Sequence, residues 1–330
     1  MSHELEIKND GDASMAYAGE LPWHGLGTAV SPDLSPKEML QAAGLDWTVR
    51  KDQAFIIGDE GQEIKIKASA LVRDSDNKIL DVVKPDWNPL QNEEAFEFFA
   101  DFVSKGDMEM HTAGSLKGGK LVWGLARVKE GFFVGRKKDE VQSHLLFTNP
   151  HQFGKSIDVR FTPIRVVCWN TLCMAIGQRG LTIDQQMVKS SHRKPFDAER
   201  VKSALGIAHT MFEEYKDAAN FLAAKRYDDE SLNNFLRLIF PKNSTKNDNT
   251  PSRNHQLALS ALNNMPGADV DPGSWWQAFN SVTFLTDHVL GRENDTRLDS
   301  AWFGSNRNLK SKALNEAVAA AKGAKDLLVA

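Results

Sequence analysis

Two hydrophobic periodicities dominate this chain in turn, strand-like runs first, interrupted by a helical stretch after Asn92, and helical spacing later. From Trp47 to about Val167, apolar residues come in short runs broken by Gly, Asp and Asn, the pattern of strands joined by turns. Beyond Pro195, Val201, Leu205, Ala208, Phe212, Tyr215, Ala219 and Leu222 recur at three- and four-residue steps, one face of an amphipathic helix. A run of strands followed by a run of helices predicts an α+β fold. The expected form is an antiparallel β-hairpin sheet packed with helices, followed by a mainly helical C-terminal region. The expected division is an α+β domain over residues 1–195, carrying a basic β segment at 108–177, and a helical region over 196–330.

Local signals place the elements. Ser35 before Pro36 marks a helix start, with the hydroxyl as N-cap and the proline at the first helical position; Gly44 ends it. Gly58-Asp59-Glu60-Gly61 and Asp74-Ser75-Asp76-Asn77 sit between apolar runs as hairpin turns. Asn92 is expected to cap a helix carrying Ala95, Phe96, Phe99, Phe102 and Val103 and ending at Gly106. Leu116-Lys117-Gly118-Gly119 reads as a turn between Met108–Ser115 and Lys120–Val128. Further strands follow, and the chain is expected to enter a helix at Trp169-Asn170-Thr171-Leu172. Helices are expected at about 229–240, 255–264, 274–290 and 309–328. The segment between Pro241 and Pro251 has no apolar residue and reads as an exposed loop.

The net charge of −4 conceals an asymmetry. Residues 1–110 hold 10 basic and 22 acidic side chains, residues 111–195 hold 14 and 5, and the remainder hold 16 and 17. A basic middle third beside an acidic N-terminal region is expected where one surface attracts polyanions. The same pattern also arises where the two segments neutralise each other across an interface. Head-to-tail docking of acidic on basic regions predicts homo-oligomers, as rings or filaments. The N-terminus lacks the apolar run of a signal peptide, and no stretch approaches the roughly 20 apolar residues of a membrane span. The expectation is a cytoplasmic protein with no membrane contact. The two cysteines, Cys168 and Cys173, are too few for a disulfide framework or a cysteine zinc site and read as reduced core thiols.

Enzyme motifs are missing. There is no phosphate-binding loop ending in Gly-Lys-Ser/Thr, no His-Glu-x-x-His helix and no Gly-x-Ser-x-Gly elbow. Gly114 to Gly119 resembles a phosphate cradle but is followed by a strand pattern, which makes it a hairpin turn. His24 and His288 have no second ligand at metal spacing. No cofactor, metal or catalytic residue is expected. An enzyme built around His24, Asn170 and His288 remains a minor alternative.

The basic β segment carries the strongest signal. Lys117, Lys120, Arg127, Lys155, Arg160 and Arg165 lie on strands or their turns, with Trp123 and Trp169 among them. Cations for phosphates interleaved with aromatic faces for bases are the chemistry of single-strand binding. Both tryptophans also suit a core. A second basic feature, Lys189 with Arg193 and Lys194, is placed for phosphate contacts at the rim, or is a solvated linker.

Tyr17-Ala18-Gly19-Glu20-Leu21-Pro22-Trp23-His24-Gly25-Leu26-Gly27 resembles the N-terminal signature of the phage/plasmid-like proteins, a family catalogued as a domain of unknown function. Trp87 to Asn92, Thr112 to Leu116, Arg165 to Leu172, Trp276 to Thr283 and Phe303-Gly304-Ser305 are similar to that family too. The resemblance implies a phage, prophage or plasmid setting and a relation to single-strand annealing proteins of the RecT and Red-beta kind. Those proteins hold DNA in a basic groove without hydrolysing nucleotide. The expected function is therefore single-stranded DNA binding and annealing in recombination, with single-stranded DNA and further copies of the chain as partners. The alternative is a phage accessory protein that binds a host protein, such as an inhibitor of a defence system.

Overall fold

Ser35 opens the first helix as its residue types demand. In the computed structural model its hydroxyl accepts the Glu38 backbone N–H while the Glu38 carboxylate accepts the Ser35 N–H, a complete capping box. The structure describes residues 5–8, 11–19, 22, 25–136, 138–165, 170–171, 188–242, 250–291, 300–301 and 304–323. His24, Cys168, Trp169, Cys173, the expected end of a helix at Gly177 and most of the polar loop after Pro241 lie outside them.

Two compact units emerge. The first comprises Met1–Lys129, His144–Arg160 and Met187–Gly206, and the second Glu130–Ser143, Phe161–Gln186 and Ile207–Ala330. Neither is one continuous segment, so the chain does not divide at residue 195. Long strands and a long helix each contribute to both units.

In the first unit, α1 (Pro36–Ala42) is followed by a three-stranded antiparallel sheet of β3 (Val49–Ile57), β4 (Glu63–Arg73) and β5 (Ile79–Val83). The hairpin turns at 58–62 and 74–78 fall where expected. A second sheet holds β1 (Met15–Ala18), β2 (Thr28–Val30), β6 (Met108–Leu116) and β11 (Val188–Ser190), with the first-unit parts of β7 (Leu121–Val134), β8 (Asp139–Pro150) and β9 (Ile157–Arg165). Its order is β2-β1-β6-β7-β8-β9-β11. The β1–β2 pairing is parallel, an exception within a largely antiparallel fold. Trp123, 2% exposed, belongs to the core.

The expected helix over 92–106 is two, α2 (Asn92–Glu97) and α3 (Ala100–Ser104). Phe98 and Phe99 are both buried, and successive helical positions cannot face one side; the chain breaks between them. Their rings meet Phe147 on β8 at 5.3 and 6.1 Å, and Phe196 closes on Phe98 at 6.0 Å.

Asn92 is not the cap. Gln91 holds that place, and the Asn92 side chain turns inward, 1% exposed. Its amide nitrogen donates to the Leu45 carbonyl at 3.0 Å. Its oxygen accepts from the Asn149 amide at 3.2 Å and lies 3.0 Å from His151 Nε2. Asn149 also donates to the Leu90 carbonyl at 2.8 Å. One amide thus joins the chain before β3, the start of α2 and the end of β8.

The second unit is mainly helical: α4 (Ala198–Ala224, from residue 207), α5 (Asp229–Ile239), α6 (Arg253–Asn264), α7 (Trp275–Phe284), extended by a π-helical turn over Leu285–Val289, and α8 (Ser305–Lys322). It also takes the distal ends of β7, β8 and β9. Asn170–Thr171 is a short strand, β10, paired antiparallel with the end of β9, so these two residues do not begin a helix. Tyr215, Ala219 and Leu222 of α4 pack with Phe235, Trp275, Trp276, Phe279 and Leu314. The Trp276 indole donates to Asp139 at 2.7 Å, and buried Lys310 pairs with Asp287 at 2.7 Å. His288 lies on the π turn beside Phe284. Among the described residues no helix is long and apolar enough to cross a membrane, and no His, Cys, Asp and Glu cluster is arranged for a metal.

The first unit's buried polar groups set its stability. Asn92→Leu keeps the branched shape but leaves the His151 Nε2, one amide hydrogen of Asn149 and the Leu45 carbonyl without their partner in the core; it is expected to lower stability by about 3 kcal/mol, read by urea denaturation, and a drop below about 1 kcal/mol would contradict the hub role. Burial holds His151 down to about 3 and His111 and His192 to about 4, so all three are neutral at pH 7. Unfolded, each takes a proton near pH 6.5. Their contribution is complete above about pH 6.5 and is lost as pH falls towards the folded values, by up to about 1.4 kcal/mol per pH unit for each. The melting temperature should therefore begin to fall already between pH 6.5 and 5, above the carboxylate range; a flat profile over that window would contradict the burial.

Candidate nucleic-acid interface

The β6–β7 hairpin builds the first part of the site. Leu116 pairs with Leu121, leaving Lys117–Lys120 as the turn. Lys117, Gly118 and Gly119 all have left-handed backbones, with φ of 55°, 63° and 94°. A Cβ on Gly118 would meet Lys78 and one on Gly119 would meet Arg73 and Leu80. The glycines therefore let the β4–β5 hairpin close against this turn. The candidate phosphate cradle is a hairpin turn, as its sequence indicated.

Backbone bonds then bring in the β8–β9 loop. The His151 N–H donates to the Lys120 carbonyl at 2.8 Å, and the Phe153 N–H donates to Asp81 of β5, also at 2.8 Å. Lys155 follows, exposed. Phe153 itself is 49% exposed, an aromatic side chain open to solvent two residues before Lys155.

The 191–194 turn arrives at the same end of the sheet. β11 runs antiparallel to β9 with Ser190 opposite Ile157, so β11 ends where β9 begins. His192 stacks on Trp87 with ring centroids 4.1 Å apart, and its Nδ1 lies 3.1 Å from the Asn88 carbonyl. The Asn88 N–H returns a bond to the His192 carbonyl at 2.7 Å. This clamp presents Arg193 and Lys194 outward. A recess of about 340 Å³ opens beside them, walled by Leu90, Pro195 and Phe196 with Lys194 and Glu94 among its lining.

Five of the ten expected contact residues are thus gathered at one end of the first unit: Lys117, Lys120, Lys155, Arg193 and Lys194. Lys189 lies next to them, exposed on β11 opposite Asp158. The remaining four are not assembled there. Arg160 is 6% exposed and pairs with Asp158 at 2.8 Å. It is an internal ion pair, not part of an open groove, because its strand position faces inward. Arg127 is half-buried and bridges to Glu109 directly across the β6–β7 ladder. Arg165 ends β9 in the second unit, and Trp169 lies outside the described residues.

Two contributors escaped the sequence reading. Lys78, from the acidic N-terminal third, sits against Gly118. Phe153 was not singled out because only the fold shows that it projects. The charge is not uniformly positive. Arg73 is held by Glu6 at 2.7 Å and by Asp76 at 2.6 Å, and that pairing pushes Asp76 down to about 2. Asp86 lies 3.7 Å from Arg193. The arrangement offers lysines on flexible stems, an exposed ring and a recess, with no His, Cys, Asp and Glu cluster arranged for a metal among the described residues.

No curated protein and no solved structure matches the chain. The family model described as Domain of unknown function (DUF932) matches residues 79–302, more than half of the sequence and a span that includes β8, β9 and the 191–194 turn. The protein belongs to this family, DUF932.

Proposed function

We propose that this protein binds single-stranded nucleic acid at the turn end of its first unit, as an annealing or recombination protein of phage or prophage origin. The observation that supports the reading is that the turns carrying Lys117, Lys120, Lys155, Arg193 and Lys194 lie at one end of the sheet, the end from which the exposed Phe153 also projects. Lysines on flexible stems neutralise phosphates without demanding one geometry, and an aromatic face stacks on any base. The combination suits sequence-tolerant binding. Annealing then requires only that the bound strand be held near a second, complementary strand, with no covalent bond made or broken in the nucleic acid and no nucleotide hydrolysed. Assembly into homo-oligomers would set several such ends along one strand. The phage and plasmid resemblance of the Trp87 to Asn92 and Thr112 to Leu116 strings agrees with this role.

Fluorescence anisotropy with a single-stranded oligonucleotide at several salt concentrations tests it. Replacing Lys117 and Lys120 together by Ala should weaken binding regardless of sequence. It should also make the salt dependence shallower by roughly 0.7 for each phosphate interaction removed. The fold should persist, because half-exposed turn lysines contribute little to stability. No binding by the wild type at low salt, or an unchanged salt slope in a folded double variant, would overturn the reading.

A further inference from the structure

β5 pairs with β4 only over Ser69–Val72. Beyond that point, among the described residues, β3 and β4 continue as a two-stranded ribbon, with Phe55 opposite Lys65, Ile56 opposite Ile64 and Ile57 opposite Glu63. Ile56 is 51% exposed, Ile57 68%, and Phe55 and Ile64 each 42%. A bare two-stranded ribbon is marginal in water, and this one displays large apolar side chains on both faces. Ile56 and Ile64, directly opposite each other, share one face, and Ile66 follows at the start of the bulged stretch of β4 opposite Ala54.

We propose that this ribbon is a self-association surface on which the open edge of β4 pairs antiparallel with β4 of a second copy. The occupant is selected by the order Glu63-Ile64-Lys65-Ile66-Lys67. Turned about Lys65, this segment is complementary to itself. Glu63 meets Lys67 of the second copy, Ile64 meets its Ile66, and each pairing occurs twice, as a two-fold contact requires. Opposite charges and aliphatic pairs across strands both stabilise a ladder. Lys65 faces its own counterpart at the centre, a repulsion between two exposed and flexible side chains that solvent screens. The isoleucines of both copies then form one shared apolar stripe. An edge that would otherwise invite aggregation is thereby closed by a specific partner. Nothing in this pairing depends on nucleic-acid binding.

Sedimentation of the full chain tests it without any ligand. The wild type should dimerise at concentrations up to about 100 μM, a modest affinity for a small ladder. Ile56→Lys with Ile64→Lys should leave a folded monomer, since both positions are exposed. Glu63→Lys alone and Lys67→Glu alone each set two like-charge pairs across the ladder and should weaken dimerisation about tenfold. Mixed in equal amounts, those two single variants should recover it, because each then supplies the charge that the other lacks. A monomeric wild type, a dimer indifferent to these substitutions, or a failure of the mixture to recover would each overturn the proposal.

Discussion

The candidate interface depends on a single buried amide. Asn92 receives Asn149 and His151 and donates to the Leu45 carbonyl. A buried amide costs several kcal/mol unless its partners are supplied, so the three chain segments are fixed relative to one another. His151 then passes that fixation outward, because its backbone N–H holds the Lys120 carbonyl. The β6–β7 turn and the β8–β9 loop are thereby registered by the core and not by surface contacts. Neutral His151 is part of this arrangement: a ring at 0% exposure beside Trp47 has no room for a hydration shell.

The pairing of charges within the fold explains which basic residues reach solvent. Arg127 and Arg160 sit on strands next to or opposite an acid and are consumed in ion pairs. Lys117, Lys120, Lys155 and Lys194 lie on turns and loops, not within strand ladders. The turn end therefore collects cations, although many basic residues of the middle third are used internally. Lys78 shows that the acidic third also contributes, since the β4–β5 hairpin folds onto Gly118 and Gly119. A surface assembled from three separated turns cannot be read from net charge per segment.

Much of the architecture was legible because its causes are local. Ser35, Pro36 and Glu38 dictate a helix start within four residues, and the β3–β4, β4–β5 and β6–β7 turns are written in Gly and Asp. The helical stripe after Pro195 likewise places Tyr215, Ala219 and Leu222 in the core. What was not legible involves distant partners. Asn92 looks like a cap until its contacts 57 and 59 residues away are known. Arg160 looks available until Asp158 and the burial of its strand are seen. The parallel β1–β2 pair has no local signal. The two units could not be read as segments, since β7, at 14 residues, outruns the core in which it starts. Phe153 lacks any periodic context that would mark it as exposed.

Stacking of nucleic acid on the exposed ring at the turn end is the claim on which the functional proposal stands. Photo-crosslinking of a single-stranded oligonucleotide carrying halogenated uracil, followed by peptide mapping, tests it most directly, because crosslinks form where a base stacks against an aromatic side chain. The expected result is a dominant crosslink at Phe153, abolished by Phe153→Ala, with the fold unchanged. Crosslinks confined to the helical second unit, or a Phe153 peptide that never acquires label while binding persists, would contradict it.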